Sequence, residues 1–168
     1  MLPPGAQGEI QLRGPNLLRG VCGRPRSELF TADGFYPTGD LGRLDADGTL
    51  WSAGRLDDMF KVKGATVYPA EVEQALRSIP GVAQAFVTNV PAADGTQEVA
   101  ALVVSSADQE SLTEAARARL SSFKVPALWL VVQELGALPL SPTGKIQKPA
   151  LQHLLLAKGS RPKGDPRQ

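Results

Sequence analysis

Between residues 8 and 13 the chain alternates, with Ile10 and Leu12 set against Glu9, Gln11 and Arg13, as in a half-buried strand that Gly14-Pro15 ends. Residues 19–34, rich in Arg, Gly and Pro, carry no period and are expected to be irregular. "GFYPTGDLGRLDADGTLWSAGR" reads as short strands, with Asp47-Gly48 between Leu44 and Leu50 marking a hairpin. "KVKGATVYP" predicts a second small hairpin turning at Gly64. After Tyr68 the period changes. Val72, Ala75, Leu76 and Ile79 fall at i, i+3, i+4 and i+7, one apolar helix face. Pro69 suits the first turn, where a missing N–H costs nothing, Glu71 and Glu73 lie near the positive end of the dipole, and Pro80-Gly81 is expected to end the helix.

"VAQAFVTNV" and "EVAALVVSS" predict two strands joined through an Asp-Gly turn. "SLTEAARARLSSF" predicts a second helix, with Ser111 as N-cap, Glu114 completing a capping box, and Leu112, Ala116 and Leu120 as its buried edge. "ALWLVVQEL" predicts a third strand, buried from Trp129 to Val132. "LSPTGKIQK" reads as a loop and "PALQHLLLAK" as a closing helix begun by a proline. "GSRPKGDPRQ" has no apolar residue and is expected to be disordered. From Ala65 onward the order is strand, helix, strand, strand, helix, strand, helix. The expected fold class is therefore α+β: a small β-rich piece, then a compact domain of about 100 residues with helices on a small sheet.

Composition narrows the function classes. The 168 residues are 42% hydrophobic and 21% charged, so the chain is globular, and a net charge of +1 gives no broad pull toward nucleic acid or acidic membranes. A single cysteine, Cys22, excludes an internal disulfide, and a single histidine, His153, excludes a His-rich metal site, so no metal ligands are assigned. No apolar run approaches the roughly 20 residues of a membrane span, and "MLPPGAQGEI" has neither the basic start nor the apolar core of a signal peptide. A soluble, cytoplasmic protein is expected. A strand so near the N-terminus must pair with something, which suits a chain cut from a longer one or one half of a pair.

Four motifs carry candidate chemistry. In "YPTGD", the carboxylate of Asp40 can accept from two neighbouring ribose hydroxyls while Gly39 lets a flat ligand approach the backbone; the plainer reading is an ordinary turn with a local side-chain bond. In "GRLDD", Arg55 can donate two parallel bonds, and Asp57 lies where a pivot between the two pieces would be; a solvated linker with local ion pairs accounts for the same residues. In "KVKGATVYPAEVE", Lys61 and Lys63 are expected on one face of a short strand with Gly64 at its turn, to meet a phosphorylated ligand or a partner, or simply to guard an edge. In "LPLSPTGKIQK", Pro142, Thr143 and Gly144 shape a tight loop that presents Lys145 either to developing negative charge or to solvent.

Each motif is weak alone, but their joint order and spacing are specific. "DGFYPTGDLGRLDADGTL", "GRLDDMFKVKGATVYPAEVEQAL" and "FKVPALWLVVQELGALPLSPTGKIQK" together closely resemble the C-terminal third of the AMP-forming acyl-CoA synthetases, in the adenylate-forming superfamily that also holds luciferases and peptide-synthetase adenylation domains. The resemblance runs from about Gly8 to about Leu155. The ending "VYPAEVE" looks more like fatty- or aryl-acid CoA ligases than peptide-synthetase domains. Residues 1–56 would then be the β-rich end of a large adenylation domain, 57–157 a C-terminal lid domain, and 158–168 a disordered tail.

The resemblance implies a two-step reaction. A carboxylate attacks the α-phosphate of ATP, with Mg²⁺ present, and pyrophosphate leaves; the lid then swings, and the thiol of coenzyme A or of a phosphopantetheine carrier displaces AMP. By motif match, Asp40 would hold the ribose of ATP or AMP with help from Arg55, and Asp57 would be the hinge. Lys145 would be the catalytic lysine of adenylation, and Lys61, Lys63 and Gly64, within Lys61–Tyr68, would line the pantetheine tunnel. The family's phosphate loop, its acyl pocket and its aromatic-Gly-x-Thr-Glu segment, which helps bind adenine and Mg²⁺, belong to a large N-terminal domain absent here, so most Mg²⁺ ligands fall outside this chain. Val21-Cys22 also departs from the aromatic pair usual after the "RG". The chain alone is therefore expected to be inactive, needing that domain in cis or in trans; the alternatives are a trans-acting subunit and a non-catalytic module that binds coenzyme A or a carrier protein.

Overall fold

A computed structural model describes residues 2–134, 138–141 and 146–163. Two compact units divide between Asp58 and Met59. The first holds β1 (Gly8–Leu12), a single-turn helix α1 (Arg26–Leu29), β2 (Tyr36–Leu44) and β3 (Leu50–Arg55). Its strands form an antiparallel sheet in the order β1-β2-β3. The hairpin expected at Asp47-Gly48 is present: Gly48 takes a φ of +86°, its N–H donates to Asp45 O at 3.0 Å, and Leu44 pairs with Leu50. The stretch expected to be irregular carries α1, which sits between a proline and buried Leu29 and Phe30. The core of this unit is thin, and Leu12, Leu44, Leu50 and Trp51 remain exposed.

The second unit begins with a two-stranded hairpin, β4 (Phe60–Val62) and β5 (Ala65–Val67), followed by α2 (Pro69–Arg77), β6 (Val82–Pro91), β7 (Gln97–Ser105), α3 (Gln109–Arg117), β8 (Leu128–Val132) and α4 (Lys148–Lys158). The sheet order is β6-β7-β8, with β7 antiparallel to β6 and parallel to β8. Central β7 is buried on both faces. Val99, Ala101 and Val103 join one core with Val72 and Leu76 of α2, Leu112 and Ala116 of α3, and Phe60, Val62 and Val67 of the hairpin. Ala100, Leu102 and Val104 join a second core with Leu151 and Leu155 of α4. Helices thus cover both faces of the sheet.

Several boundaries differ from expectation for local reasons. Helix α2 stops at Arg77, three residues before Pro80, because Ser78 and Ile79 close the turn. The N-cap of α3 is Asp108, whose carboxylate accepts from Ser111 N–H at 2.9 Å, so Ser111 sits inside the helix rather than capping it. Trp129 is fully buried, with its indole N–H donating to Pro126 O at 2.8 Å, but Leu130, Val131 and Val132 are only half-buried because β8 is an edge strand. The segment after α4, expected to be disordered, is held as far as Arg161: Ser160 exchanges both backbone hydrogen bonds with Trp129, and Arg161 pairs with buried Glu98.

Both edges of this sheet are sealed. On the β8 side Ser160 adds a bridge. On the β6 side two helix side chains reach the outward backbone groups. Glu73 of α2 accepts from Val87 N–H at 3.0 Å, and Gln152 of α4 donates to Asn89 O at 3.0 Å.

Two outcomes follow. Leu155→Ala empties part of the second core and should lower unfolding stability by about 2–5 kcal/mol in urea titration. The Asp108 carboxyl is held below its ordinary value, first by the Ser111 backbone N–H and then by the Ser111 hydroxyl. A depressed folded pKa gives stability that is full above the unfolded value of about 3.9 and is lost as pH falls through the folded value. Asp108→Asn, which keeps the cap and removes the titration, should flatten the acid limb of stability measured from about pH 6 to about pH 3.

Candidate functional site

The first cluster is built on β2 and β3. Thr38 Oγ1 donates to Ile10 O at 2.8 Å and accepts from Asp40 N–H at 3.0 Å. Gly39 N–H donates to Glu9 Oε1 at 3.1 Å, and Leu56 N–H donates to Gly39 O at 2.8 Å. These bonds hold Gly39 at a φ of +75°, in the left-handed region. Register places Asp40 directly opposite Arg55. The Arg55 guanidinium donates from Nη1 to Asp40 Oδ1 at 3.1 Å, from Nε to Asp57 Oδ1 at 2.9 Å, and from Nη2 to Asp57 Oδ2 at 3.4 Å. A Cβ on residue 39 would lie 3.1 Å from Arg55 Nη2, so glycine leaves room for the guanidinium.

Arg55 is held above its ordinary pKa, first by its hydrogen bond to Asp57 and the charge of that carboxylate, then by the charges of Asp40 and Asp58. The residues are open to solvent, with Asp57 70% exposed, so the pairs orient one another more than they stabilise the fold. Chemically, the cluster offers an oriented carboxylate beside a planar donor, suited to a pair of hydroxyls with an anion nearby.

The second cluster is the β4–β5 hairpin. Lys63 (φ +49°) and Gly64 (φ +83°) are both left-handed, the signature of a type I′ two-residue turn. Lys61 and Lys63 therefore do not share a strand face. Lys61 lies in β4, opposite Thr66, and donates to its Oγ1 at 2.6 Å, while Lys63 occupies the turn. Nothing lies within 4 Å of a Cβ built on Gly64, so backbone conformation rather than space calls for glycine there. Lys63 also borders a shallow cleft of about 200 Å³ with Val62, Ala92, Asp94, Glu98 and Arg161. Asp94 is held below its ordinary pKa by the Thr96 hydroxyl and backbone N–H, with a smaller contribution from the charge of Lys63.

Asp40, Arg55 and Asp57 are thus brought together in the first unit, and Lys61, Lys63 and Gly64 share one hairpin in the second. Lys145 lies outside the described residues. Among the described residues, no group of three or more His, Cys, Asp or Glu is placed to hold a metal ion, and no helix is long and apolar enough to cross a membrane.

Sequence reasoning missed the residues that brace these clusters. Thr38 lay inside a quoted motif, yet its double hydrogen bond depends on a neighbouring strand. Glu71 and Glu73 were read as dipole partners, but Glu71 meets Lys124 at 2.5 Å and Glu73 reaches the edge of β6. No spacing rule links positions 71 and 124. The Arg161–Glu98 pair joins residues 63 apart and left no local signal.

Comparison with known proteins agrees with this geometry. Residues 71–145 match the profile of the AMP-binding enzyme C-terminal domain. The chain is 38% identical over 162 residues to a dimodular nonribosomal peptide synthase of Bacillus subtilis (strain 168), covering 89% of this chain and 7% of that protein. It is 37% identical over 162 residues to a 3-hydroxybenzoate–CoA/4-hydroxybenzoate–CoA ligase of Thauera aromatica, covering 92% of this chain and 30% of that one. The crystal structure of ATP-bound MatB from Rhodopseudomonas palustris superposes with a TM-score of 0.76 at 34% identity, over 91% of this chain and 31% of that one. The chain thus spans less than a third of each.

Gly39→Ala should cost about 1 kcal/mol in urea unfolding through left-handed strain alone and should shift the Arg55 Nε–H resonance as the guanidinium gives way. Gly14→Ala, at a position with open space around its Cβ and no positive φ, should do neither.

Proposed function

We propose, on the premise that this chain belongs to the AMP-binding, adenylate-forming enzymes and carries their C-terminal portion, that it serves an ATP-dependent acid–thiol ligase reaction. The Asp40–Arg55–Asp57 cluster carries the reading, because it sets a hydroxyl-binding carboxylate beside a guanidinium and a pivot candidate, the latter two within three residues of Asp58, where the first compact unit ends. That a structural relative is ATP-bound supports ATP as the nucleotide.

In the first step an oxygen of the substrate carboxylate forms a bond to the α-phosphorus of ATP, and the bond to the leaving pyrophosphate breaks. Asp40 accepts from the two ribose hydroxyls, and Arg55, already fixed beside it, orients the carboxylate. Lys145 delivers positive charge to the α-phosphate and the attacking carboxylate, where negative charge builds in the transition state. Mg²⁺, when bound, would supply positive charge to the pyrophosphate; among the described residues no group of three or more His, Cys, Asp or Glu is placed to hold it, so its ligands are assigned to the large N-terminal domain. In the second step a thiolate attacks the acyl carbon of the adenylate, and AMP leaves with the bonding pair on its phosphate oxygen. Rotation about Asp57 exchanges the Lys145 loop for the Lys63–Gly64 turn, whose glycine backbone lets the pantetheine arm pass. The acceptor is coenzyme A or a carrier-bound pantetheine; the matched relatives include a CoA ligase and a peptide synthase. The large N-terminal domain supplies the acid pocket and phosphate loop, so the chain alone is inert.

Three measurements test this. The chain alone should release no pyrophosphate from ATP with any of a panel of carboxylic acids; robust turnover would overturn its dependence on a large domain. Joined to such a domain, Lys145→Ala should lower adenylation by about a hundredfold or more while sparing thioester formation from supplied acyl-adenylate. Asp40→Ala should chiefly raise KM for ATP. Equal loss in both half-reactions on Lys145→Ala would refute the assigned division of labour.

A further inference from the structure

Helix α4 follows directly on the segment that carries Lys145, and its attachment to the sheet is of two kinds. Leu151 and Leu155 lie on the second core, fully buried. Apolar contact of that sort fixes the distance of a helix from a sheet but resists sliding and rotation weakly, because dispersion has little directional preference. The directional attachment is a chain of three amides. Gln152 Nε2 donates to Asn89 O at 3.0 Å and to Asn89 Oδ1 at 3.2 Å. Asn89 Nδ2 in turn donates to Gln97 Oε1 at 2.9 Å, which turns Oδ1 of Asn89 toward Gln152. All three side chains are half-buried, where such bonds are less diluted by water.

The same turn of α4 is tied to the base of the lysine segment. Leu151 N–H donates to Gln147 O at 2.9 Å, Gln147 N–H donates to Pro139 O at 2.9 Å, and Leu140 and Ile146 form an antiparallel bridge. Ile146 and Leu138 pack on the same core as Leu151. The backbone of Lys145 is covalently joined to Ile146. Hydrogen bonds from Gln97 through Asn89 to Gln152, and from Leu151 to Gln147, joined by the backbone steps between neighbouring residues, therefore link β7 to the residue after the lysine.

We infer that Gln152, held by Asn89 and Gln97, is a positioning residue for the start of α4 and for Ile146 and Gln147, the two residues that follow Lys145 in sequence, and acts on the adenylation step through them. This rests on the proposed function for the role of Lys145, whereas the mechanical link to Ile146 and Gln147 stands on the hydrogen bonds alone.

Gln152→Leu, which keeps bulk without donors, and Gln152→Glu, which keeps shape without donors, test it. In the full chain, hydrogen exchange at the Gln147 amide should rise by about tenfold in both variants, while the Ser160 amide, bonded to Trp129 on the opposite sheet edge, should stay protected. An unchanged Gln147 amide, or a uniform rise at both amides, overturns the inference. With the chain joined to the N-terminal region of the Thauera ligase, both variants should lower kcat of adenylation by about tenfold at unchanged KM for ATP, and spare thioester formation from supplied acyl-adenylate. Equal loss in both half-reactions, or a pure KM effect, also overturns it. Lys145→Ala separates the two levels: if it leaves adenylation intact, the proposed function fails, and the exchange data alone judge the mechanical role of Gln152.

Discussion

The second unit depends on one strand buried from both sides. β7 places Val99, Ala101 and Val103 in one core and Ala100, Leu102 and Val104 in the other, so no face of it can meet water. A strand of that kind requires layers on both faces and partners on both edges. The helices α2, α3 and α4 supply the layers, and β6 and β8 supply the partners. Among the described residues, the outer edge of each flanking strand is met by side chains and by one residue after α4, with no further strand. Glu73 and Gln152 reach one edge from opposite faces, and Ser160 closes the other.

This economy ties remote parts of the chain together. A side chain that seals an edge also fixes the helix it comes from. Glu73 fixes α2, which follows the Lys63–Gly64 turn; Gln152 fixes α4, which follows the Lys145 segment. Under the proposed function, the two functional segments of the unit are therefore each followed by a helix that a side chain five residues in ties to the same strand, β6. Buried Glu98, paired with Arg161, adds a third such tie near the cleft beside Lys63.

Much of this was legible in the sequence. The periods of α2 and of β6, β7 and β8, the Asp47-Gly48 and Gly64 hairpins, and the Pro-led starts of α2 and α4 all follow from local patterns that tertiary packing reinforced. Asp40, Arg55 and Asp57 stand out by motif and resemblance, and hairpin register, which is local, brings positions 40 and 55 face to face. Local rules failed where a nearer competitor won or where the partner was remote. Asp108 displaced Ser111 as cap because its carboxylate takes the Ser111 N–H, which starts the helix one turn earlier than expected. The tail after α4 is expected to be disordered from its composition, yet Ser160 needs no apolar side chain to pair its backbone with Trp129. Lys63 was placed on a strand because alternation cannot see that a type I′ turn needs two left-handed residues, of which glycine supplies only one.

The proposed chemistry makes sense of how little energy the first cluster contributes. Arg55, Asp40 and Asp57 are exposed, and exposed pairs add little to folding. Four backbone and side-chain bonds nevertheless hold Gly39 in the left-handed region so that a guanidinium can lie against it. Under the proposed function, bonds that orient charges while adding little stability suit a site that is ready before its ligand arrives. A nucleotide entering such a cradle meets a carboxylate whose orientation is already set, so the ordering cost has been met by the fold rather than by the binding event. The acid need not be recognised here at all. Under the proposed function, the nucleotide, the lysine charge and the thiol-admitting turn would serve either acceptor and the choice of acid would fall to the other domain, which accords with the similarity of this chain to both a peptide synthase and a CoA ligase.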